Sequence, residues 1–561
     1  MSMLRQASML AAWLTTAALA AGGPGAAAAQ KKPIATGWDM ATPARLRENL
    51  QLMEQRPFHG VVIRFADRSN RTLSYAFNAE VWEDAWIEEI IDDLKACGFT
   101  RFTDNFLLVN ANPGDVDWFD DAGWSTVVDH WRAAARAARE GGLRGILFDP
   151  EPYRKPYRQF DYTAQAAHAD HTLEEYLAKA RERGREVMGA VAGEYPDLTL
   201  FCYFMNSVNA HAADRGDPRR AAASGSYGLY PAFIDGWLDA APPTITFVDG
   251  CESAYRFNDE LQYLIAANRI KGICQQLVAP ENRYKYRAQV QAGFGLYLDA
   301  YVNPPDSPWY IDPKGQPVAD RLRANAETAL RVADEYVWVY GEKYRWWPTP
   351  NERVNEEAWP DALPGIEEAL RFAGDPLGYA REFVKAHPDR ATNRLRNGDF
   401  SDMTVVDDQG NQTTWQEGRP PAGWGFWQRD DSSGAATWDR QVGAAAPGAA
   451  RLSGVLDGCF TQAIPAEPGE RYAFFGKARA EGEGDCLVRI RWQTTEAKWY
   501  ASSLDRIFDA AAADEDGWWE VAGVATVPEG AGKIVVLLIA RGQLSPDDRA
   551  WYDDVTLVKL D

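Results

Sequence analysis

The sequence predicts a (β/α)8 TIM barrel followed by an all-β jelly-roll sandwich. Between residues 33 and 385, eight short β-branched and aromatic runs alternate with longer amphipathic segments, the pattern of βα units around a parallel sheet. After a polar connector at 386–392, helical periodicity gives way over 393–561 to short, Gly-rich, strand-like runs with turns at close spacing, which reads as a sandwich.

The first strand is Pro33 to Trp38, followed by a helix that opens at Thr42-Pro43 with a capping hydroxyl and a proline at the first helical position. The second is Gly60 to Phe65 and the third Thr100 to Leu108. A helix from Ser125 to Glu140 leads to the fourth, Gly145 to Asp149, and a charged helix from Leu173 to Tyr195 leads to the fifth, Leu198 to Met205. The sixth is Ile245 to Asp249, the seventh Gly293 to Asp299 and the eighth Tyr336 to Tyr340. Ile270 to Gln276 is assigned to a helix, with a strand as the alternative.

Ahead of the barrel, Arg5 precedes an apolar run from Met9 to Ala21 and a small-residue stretch ending Ala27-Ala28-Ala29. This reads as a secretory signal peptide over 1–29, because the Gly22-Gly23-Pro24-Gly25 interruption leaves the run short of a membrane span. The chain is therefore expected outside the cytoplasm, as a monomer with no membrane partner. A net charge of −22 disfavours nucleic acid and anionic surfaces, and favours a neutral ligand. Six cysteines show no zinc spacing; Cys459 and Cys486 are a candidate disulfide pair. The 22 tryptophans suit both large cores and flat platforms for sugar rings.

In such a barrel, function sits at the C-terminal ends of the strands. Those ends are acidic and aromatic here: Asp39, Asn105, Asp149, Glu151, Tyr153, Asn206, Glu252, Asp299, Glu342, Trp346 and Trp347. Two facing carboxyl groups are the minimum for breaking a glycosidic bond, one protonating the leaving oxygen and the other attacking, activating water or stabilising the cation. Asp149 and Glu151 lie two apart on an extended segment stiffened by Pro150 and Pro152, so they share a face and raise one another's proton affinity. Glu151 is the candidate acid and Asp149 its assistant. Glu252, Glu342 and Asp299 are candidate partners, while Asp39, Asn105, Tyr153, Asn206, Asp299, Trp346 and Trp347 are candidate substrate contacts. The chain has no Gly-x-Ser-x-Gly elbow, no His-Glu-x-x-His and no P-loop, and no catalytic cofactor is expected.

The run Gly145-Ile-Leu-Phe-Asp-Pro-Glu-Pro-Tyr153 resembles the strand-four segment of the retaining barrel glycosidases of clan A, where the acid/base Glu sits. It is also similar to the Asp-x-Glu ending of the family 18 chitinase signature, although the upstream acids of that signature are missing and strand seven ends in Asp299 where clan A has Glu. Leu395-Arg-Asn-Gly-Asp-Phe400, Pro421-Ala-Gly-Trp-Gly-Phe-Trp427 and Trp551-Tyr-Asp-Asp-Val-Thr-Leu-Val558 resemble family 4 and 9 type carbohydrate-binding modules. That second resemblance implies a structural calcium held by Asp399 and Asp553. Together the two imply a secreted hydrolase of a neutral poly- or oligosaccharide. The alternatives are a non-catalytic glycan-binding protein, and a lyase or transglycosylase, with Arg64, Arg154 and Arg256 open to a uronate.

Overall fold

The computed structural model describes residues 31–153, 158–402, 404–406, 412–416, 418–508 and 513–560. The expected signal peptide and Arg154 lie outside the described residues. The chain divides into two compact units, Gln30–Tyr379 and Ala380–Asp561.

The first unit is a parallel α/β barrel. Its strands are β1 (Lys32–Gly37), β2 (Gly60–Arg64), β3 (Phe106–Pro113), β4 (Gly145–Asp149), β5 (Thr199–Cys202), β6 (Thr246–Asp249), β7 and β8 (Tyr336–Gly341). β7 comes in two runs, Val290–Ala292 paired with β6 and Phe294–Tyr297 paired with β8, so pairing continues round the ring through this one strand. β8 pairs in turn with β1.

Alternate residues of β8 build the interior in aromatic levels. Tyr336 meets Phe106 and Phe201 at ring centroid distances of 5.5 and 5.6 Å, and two residues on, Trp338 stacks on Tyr203 at 4.2 Å. Each such buried ring stabilises the fold by roughly 1.5–3 kcal/mol. The N-terminal end of the barrel is closed by Asp104, which accepts the Tyr336 hydroxyl at 2.7 Å and pairs with Lys32 at 3.0 Å.

Local sequence explains the surrounding helices. Thr42 caps Pro43–Met53 by accepting the Arg45 amide at 3.4 Å, and Thr172 with Glu175 forms a capping box on Leu173–Glu194. Asp120 caps a helix at Asp121–Glu140, four residues ahead of the expected start at Ser125. Ile270 to Gln276 is helical, the end of Glu260–Lys271 followed by a 3-10 turn at Ile273–Leu277. Helices Leu173–Glu194 and Tyr230–Ala240 cross through Gly184 and Gly236, where a Cβ would lie 2.1 Å from the Phe233 and Arg181 carbonyls respectively.

One strand differs from the sequence reading in a way that matters. The third strand was expected at Thr100 to Leu108 but runs from Phe106 to Pro113, because Asn110 pairs with Asp149, and Asn110 and Pro113 pair with Tyr75 and Phe77 of a short added parallel strand, Tyr75–Phe77. Asn105 thereby moves to the opposite end of the barrel from the strand termini.

The second unit is a sandwich of two five-stranded antiparallel sheets. One runs Gly425–Gln428, Asp457–Pro465, Lys533–Arg541, Asp485–Gln493, Arg506–Phe508; the other runs Ala435–Asp439, Ala449–Ser453, Arg549–Lys559, Arg471–Glu481, Trp519–Thr526. Phe460, Phe474, Ile490, Trp492, Leu538 and Leu557 pack between them. The two ends of the unit meet where Asn393 takes the Leu557 amide at 2.9 Å and gives to the Val555 carbonyl at 3.0 Å. All six cysteines are free. Cys459 and Cys486 flank Lys533–Arg541 opposite Ile539 and Ala540, neighbours that face opposite sides of the sheet, so the expected disulfide does not form. Among the described residues no helix is long and apolar enough to cross a membrane.

The acid that ends β6 ties two strand exits together. Asp249 is fully buried and accepts the amides of Met205, Ser207 and Cys251 at 3.0, 2.9 and 3.3 Å, together with the Ser207 hydroxyl. Asp249→Ala strands these donors in a dry site and is expected to cost the barrel about 3 kcal/mol, read as a lower midpoint in urea unfolding. An unchanged midpoint would show that water replaces the carboxylate.

Candidate active site

The C-terminal mouth of the barrel holds a cavity of about 910 Å³. Asp149, Glu151, Glu252 and Glu342 all line it, so these four catalytic candidates converge on one space. Aromatic rings make much of the remaining wall, among them Trp38, Tyr153, Tyr203, Tyr255, Trp309 and Tyr340.

Glu151 reaches this space because β4 ends at Asp149 and side chains hold the segment that follows. Asp149 accepts the Glu151 amide at 3.0 Å, and Asn112 brackets the segment by giving to the Glu151 carbonyl at 2.7 Å and accepting the Tyr153 amide at 2.8 Å. The Tyr153 hydroxyl lies 2.7 Å from Asp149 Oδ2 and 2.8 Å from Glu151 Oε2. A phenol has one proton to give, so two such contacts are both satisfied when one carboxyl carries a proton of its own and donates it to the phenol oxygen. Burial, then the charge of Glu151, pushes Asp149 up to about 7 against the pull of the Glu151 amide and Tyr153. Glu151 is raised by burial and by the charge of Glu342, with the Tyr153 hydrogen bond opposing.

Glu252 enters from a sharp turn after β6. Cys251 adopts a left-handed backbone, φ 44°, and Gly250 lies so close to the Cys202 carbonyl that a Cβ would come within 2.5 Å of it. Trp338 Nε1 holds the turn by donating to the Gly250 carbonyl at 2.8 Å. Burial first, then the charges of Glu151 and Asp149, pushes Glu252 up to about 8. Glu342 follows β8 and receives the Tyr297 hydroxyl at 3.1 Å.

Of the seven expected substrate contacts, Tyr153 lines the cavity and the other six are held elsewhere. Asp299 is fully buried and accepts the amides of Glu342 and Lys343 at 2.8 and 3.0 Å. Asp39 accepts the Trp346 amide at 2.7 Å through its carboxylate and the Trp347 indole at 2.9 Å through its carbonyl. Burial raises Asp39 to about 7 and Asp299 to about 6. The two tryptophans are core residues, Trp346 packing edge-on against Phe58 at 4.9 Å. These four residues anchor the loop that carries Glu342 and do not face a ligand. Asn206 is fully buried, and Asn105 spends its amide on the Val61 amide and the Phe102 carbonyl at 3.1 and 3.0 Å.

Sequence reasoning missed Asn112 and the aromatic wall. Tyr297 and Tyr340 are paired residues at the ends of neighbouring strands. A survey of strand ends for aromatic residues as well as acids would have included both. Arg256 and Arg353 also line the cavity, their guanidinium groups over the Trp309 and Trp38 rings at 4.2 and 5.8 Å.

In the second unit a groove of about 530 Å³ lies on the outer face of the sheet that contains Lys533–Arg541. Trp427 and Trp499, 55 % and 52 % exposed, line it over a floor of Cys459, Val535, Leu537 and Ile539. Trp424 and Trp518 are buried. For the expected calcium, Asp553 accepts the amides of Ala444 and Asp554 at 2.7 and 2.8 Å, and Asp399 accepts the Ser401 hydroxyl at 2.8 Å. Calcium takes six to eight oxygens. Among the described residues no group of three or more His, Cys, Asp or Glu gathers to hold a metal. Burial first, then the charges of Asp554 and Asp399, raises Asp553 to about 6.

No family model matches the chain, and no curated relative matches it. Solved structures that it resembles include a carbohydrate-binding module described under "CBM4 structure and function", at 20 % identity over 29 % of this chain and 99 % of that one, TM-score 0.21. Another is the enzymatically active domain of bacteriophage CBA120 tailspike protein 4, at 17 % identity over 30 % of this chain, TM-score 0.23; the match spans 21 % of the tailspike chain. A third is the CBM22-1–GH10 portion of the Clostridium thermocellum endo-1,4-β-D-xylanase 10B with xylohexaose, at 12 % identity over 24 % of this chain and 26 % of that one, TM-score 0.19. These neighbours include carbohydrate-binding modules, and others are cyclases from Fischerella; the similarities assign no glycoside hydrolase family to this chain.

Proposed function

We propose that the barrel is a secreted O-glycosyl hydrolase acting on a largely neutral poly- or oligosaccharide, and that the second unit binds glycan in its Trp427–Trp499 groove. The observation that carries the enzymatic reading is the convergence of Asp149, Glu151, Glu252 and Glu342 on one aromatic-walled cavity at the barrel mouth. Sugar rings stack their C–H faces on such walls, and the carboxyls supply the acid and its partner.

In this reading Glu151 protonates the glycosidic oxygen. Its proton is kept by burial and by the charge of Glu342, and the Asp149–Tyr153 pair returns one after each turnover. Glu342 serves as the carboxylate partner, because Tyr297 donates to it and its loop is pinned by Asp299 and Asp39. Glu252, raised to about 8, is protonated at neutral pH and donates to a sugar oxygen. The proposal places no metal or organic cofactor in the reaction.

Glu151→Gln removes the transferable proton while keeping the shape of the side chain. On the substrate identified by a glycan screen, kcat is expected to fall on the order of 10³-fold with glycan binding intact. Wild-type turnover in this variant would overturn the assignment of the acid.

The pH profile follows from the direction of the shifts. Asp149 and Glu252 titrate at about 7 and about 8, above their ordinary ranges, so the protonated cluster persists below those values and is lost as pH rises through them. kcat/KM is expected to fall on an alkaline limb between about pH 7 and 8. Tyr153→Phe removes a hydrogen bond that lowers both Asp149 and Glu151, so the limb is expected to move to higher pH while kcat drops about tenfold. A limb that stays in place would show that Tyr153 is not coupled to the acid.

A further inference from the structure

The groove of the second unit is apolar along its floor and positively charged along its rim. Cys459, Leu537 and Arg489 stand on neighbouring strands of one sheet and all face the groove, with Arg489 paired across to Leu537 and Arg491 to Val535. The exposed rings of Trp427 and Trp499 give a flat hydrophobic surface, and the Arg491 guanidinium lies 4.2 Å from the Trp499 ring centroid, which stiffens that platform.

The guanidinium groups on this rim share their carboxylates. Arg489 and Arg491 share one carboxylate oxygen, Asp505 Oδ2, at 2.5 and 3.0 Å. Arg541 and Arg429 approach a second carboxylate, Asp457, at 3.6 and 3.5 Å, and of these four guanidinium groups Arg429 alone has another carboxylate partner, Asp431, among the described residues. Guanidinium groups therefore exceed their carboxylate partners at a site on a chain whose net charge is −22. A neutral sugar needs stacking and hydrogen-bonding groups but no cluster of cations. A planar carboxylate is the group that guanidinium forks match.

From this we infer that the groove binds a glycan segment bearing carboxylates, a uronate residue whose ring lies on Trp499 while its carboxylate meets Arg489 and Arg491; Arg541, at the Trp427 end of the groove, meets a second acidic residue of the same glycan. The inference rests on the glycan-binding reading of the second unit and narrows its ligand. It is compatible with a barrel that cuts neutral linkages, since a mainly neutral polymer can carry acidic residues.

The test is affinity electrophoresis of the full chain in gels containing polygalacturonate or a glucuronate-substituted xylan, each against its carboxyl-reduced form. The parent polymers are expected to retard the protein at least tenfold more strongly than the reduced forms, with the preference fading as salt is raised. Arg541→Gln, at a half-exposed side chain outside the Asp505 cluster, is expected to weaken acidic-polymer binding several-fold without loss of folding. The pair Arg489→Gln and Arg491→Gln is expected to remove the preference altogether. Trp499→Ala is expected to abolish retardation by every polymer. Equal binding of parent and reduced polymers, unchanged in the arginine variants yet lost in Trp499→Ala, would overturn the acidic ligand and leave the glycan-binding reading standing. No retardation by any polymer would overturn both.

Discussion

Carboxyl groups that share a partly dry cavity repel one another, and the structure of the barrel mouth is an answer to that repulsion. Asp149, Glu151, Glu252 and Glu342 cannot all carry charge in one desolvated space without large cost, so protons stay bound near neutral pH. Every tie that fixes these side chains must therefore work against electrostatic pressure. Asn112 clamps the Glu151 segment from β3, Asp249 ties together the exits of β5 and β6 beneath Glu252, and Asp299 with Asp39 pins the loop carrying Glu342. Because the anchors stand on different strands, the geometry of the cluster is a property of the ring as a whole.

The division of labour between aspartate and glutamate follows from side-chain length. A short carboxylate at a strand end reaches the amides of a neighbouring strand's exit loop and is consumed by them, as Asp39, Asp249 and Asp299 are. One more methylene carries Glu151, Glu252 and Glu342 past those amides and into the cavity. Asp149 lies between the two cases, one oxygen taking the Glu151 amide and the other facing Tyr153.

This distinction is what the sequence withheld. The period of the apolar runs was enough to locate the strands, and Gly145–Asp149 has the bounds that its composition implies. It was enough to place acids at strand ends, but not to say which of their oxygens backbone amides had already taken, since those amides come from the exit loops of neighbouring strands. Trp346 and Trp347 looked like platforms because they follow a strand end; a buried aspartate and Phe58 draw them into the core instead. Asn105 was misplaced with its strand, when polar residues at the mouth end of β3 were read as loop.

Tryptophan is used in two distinct ways across the chain. Trp118, Trp124, Trp131, Trp237, Trp338, Trp346, Trp359 and Trp492 are fully buried, where their area pays for order. Trp38, Trp309, Trp427 and Trp499 are exposed, and each lines one of the two cavities described above. Three of these four have a guanidinium over the ring: Arg353 on Trp38, Arg256 on Trp309 and Arg491 on Trp499. An exposed indole left alone samples several rotamers, and ordering it would subtract from any binding energy. A guanidinium lying on one face limits that motion, leaves the other face for a ligand and brings a positive charge to its edge. The same pairing in both units suits a ligand that presents flat apolar faces and scattered negative charge.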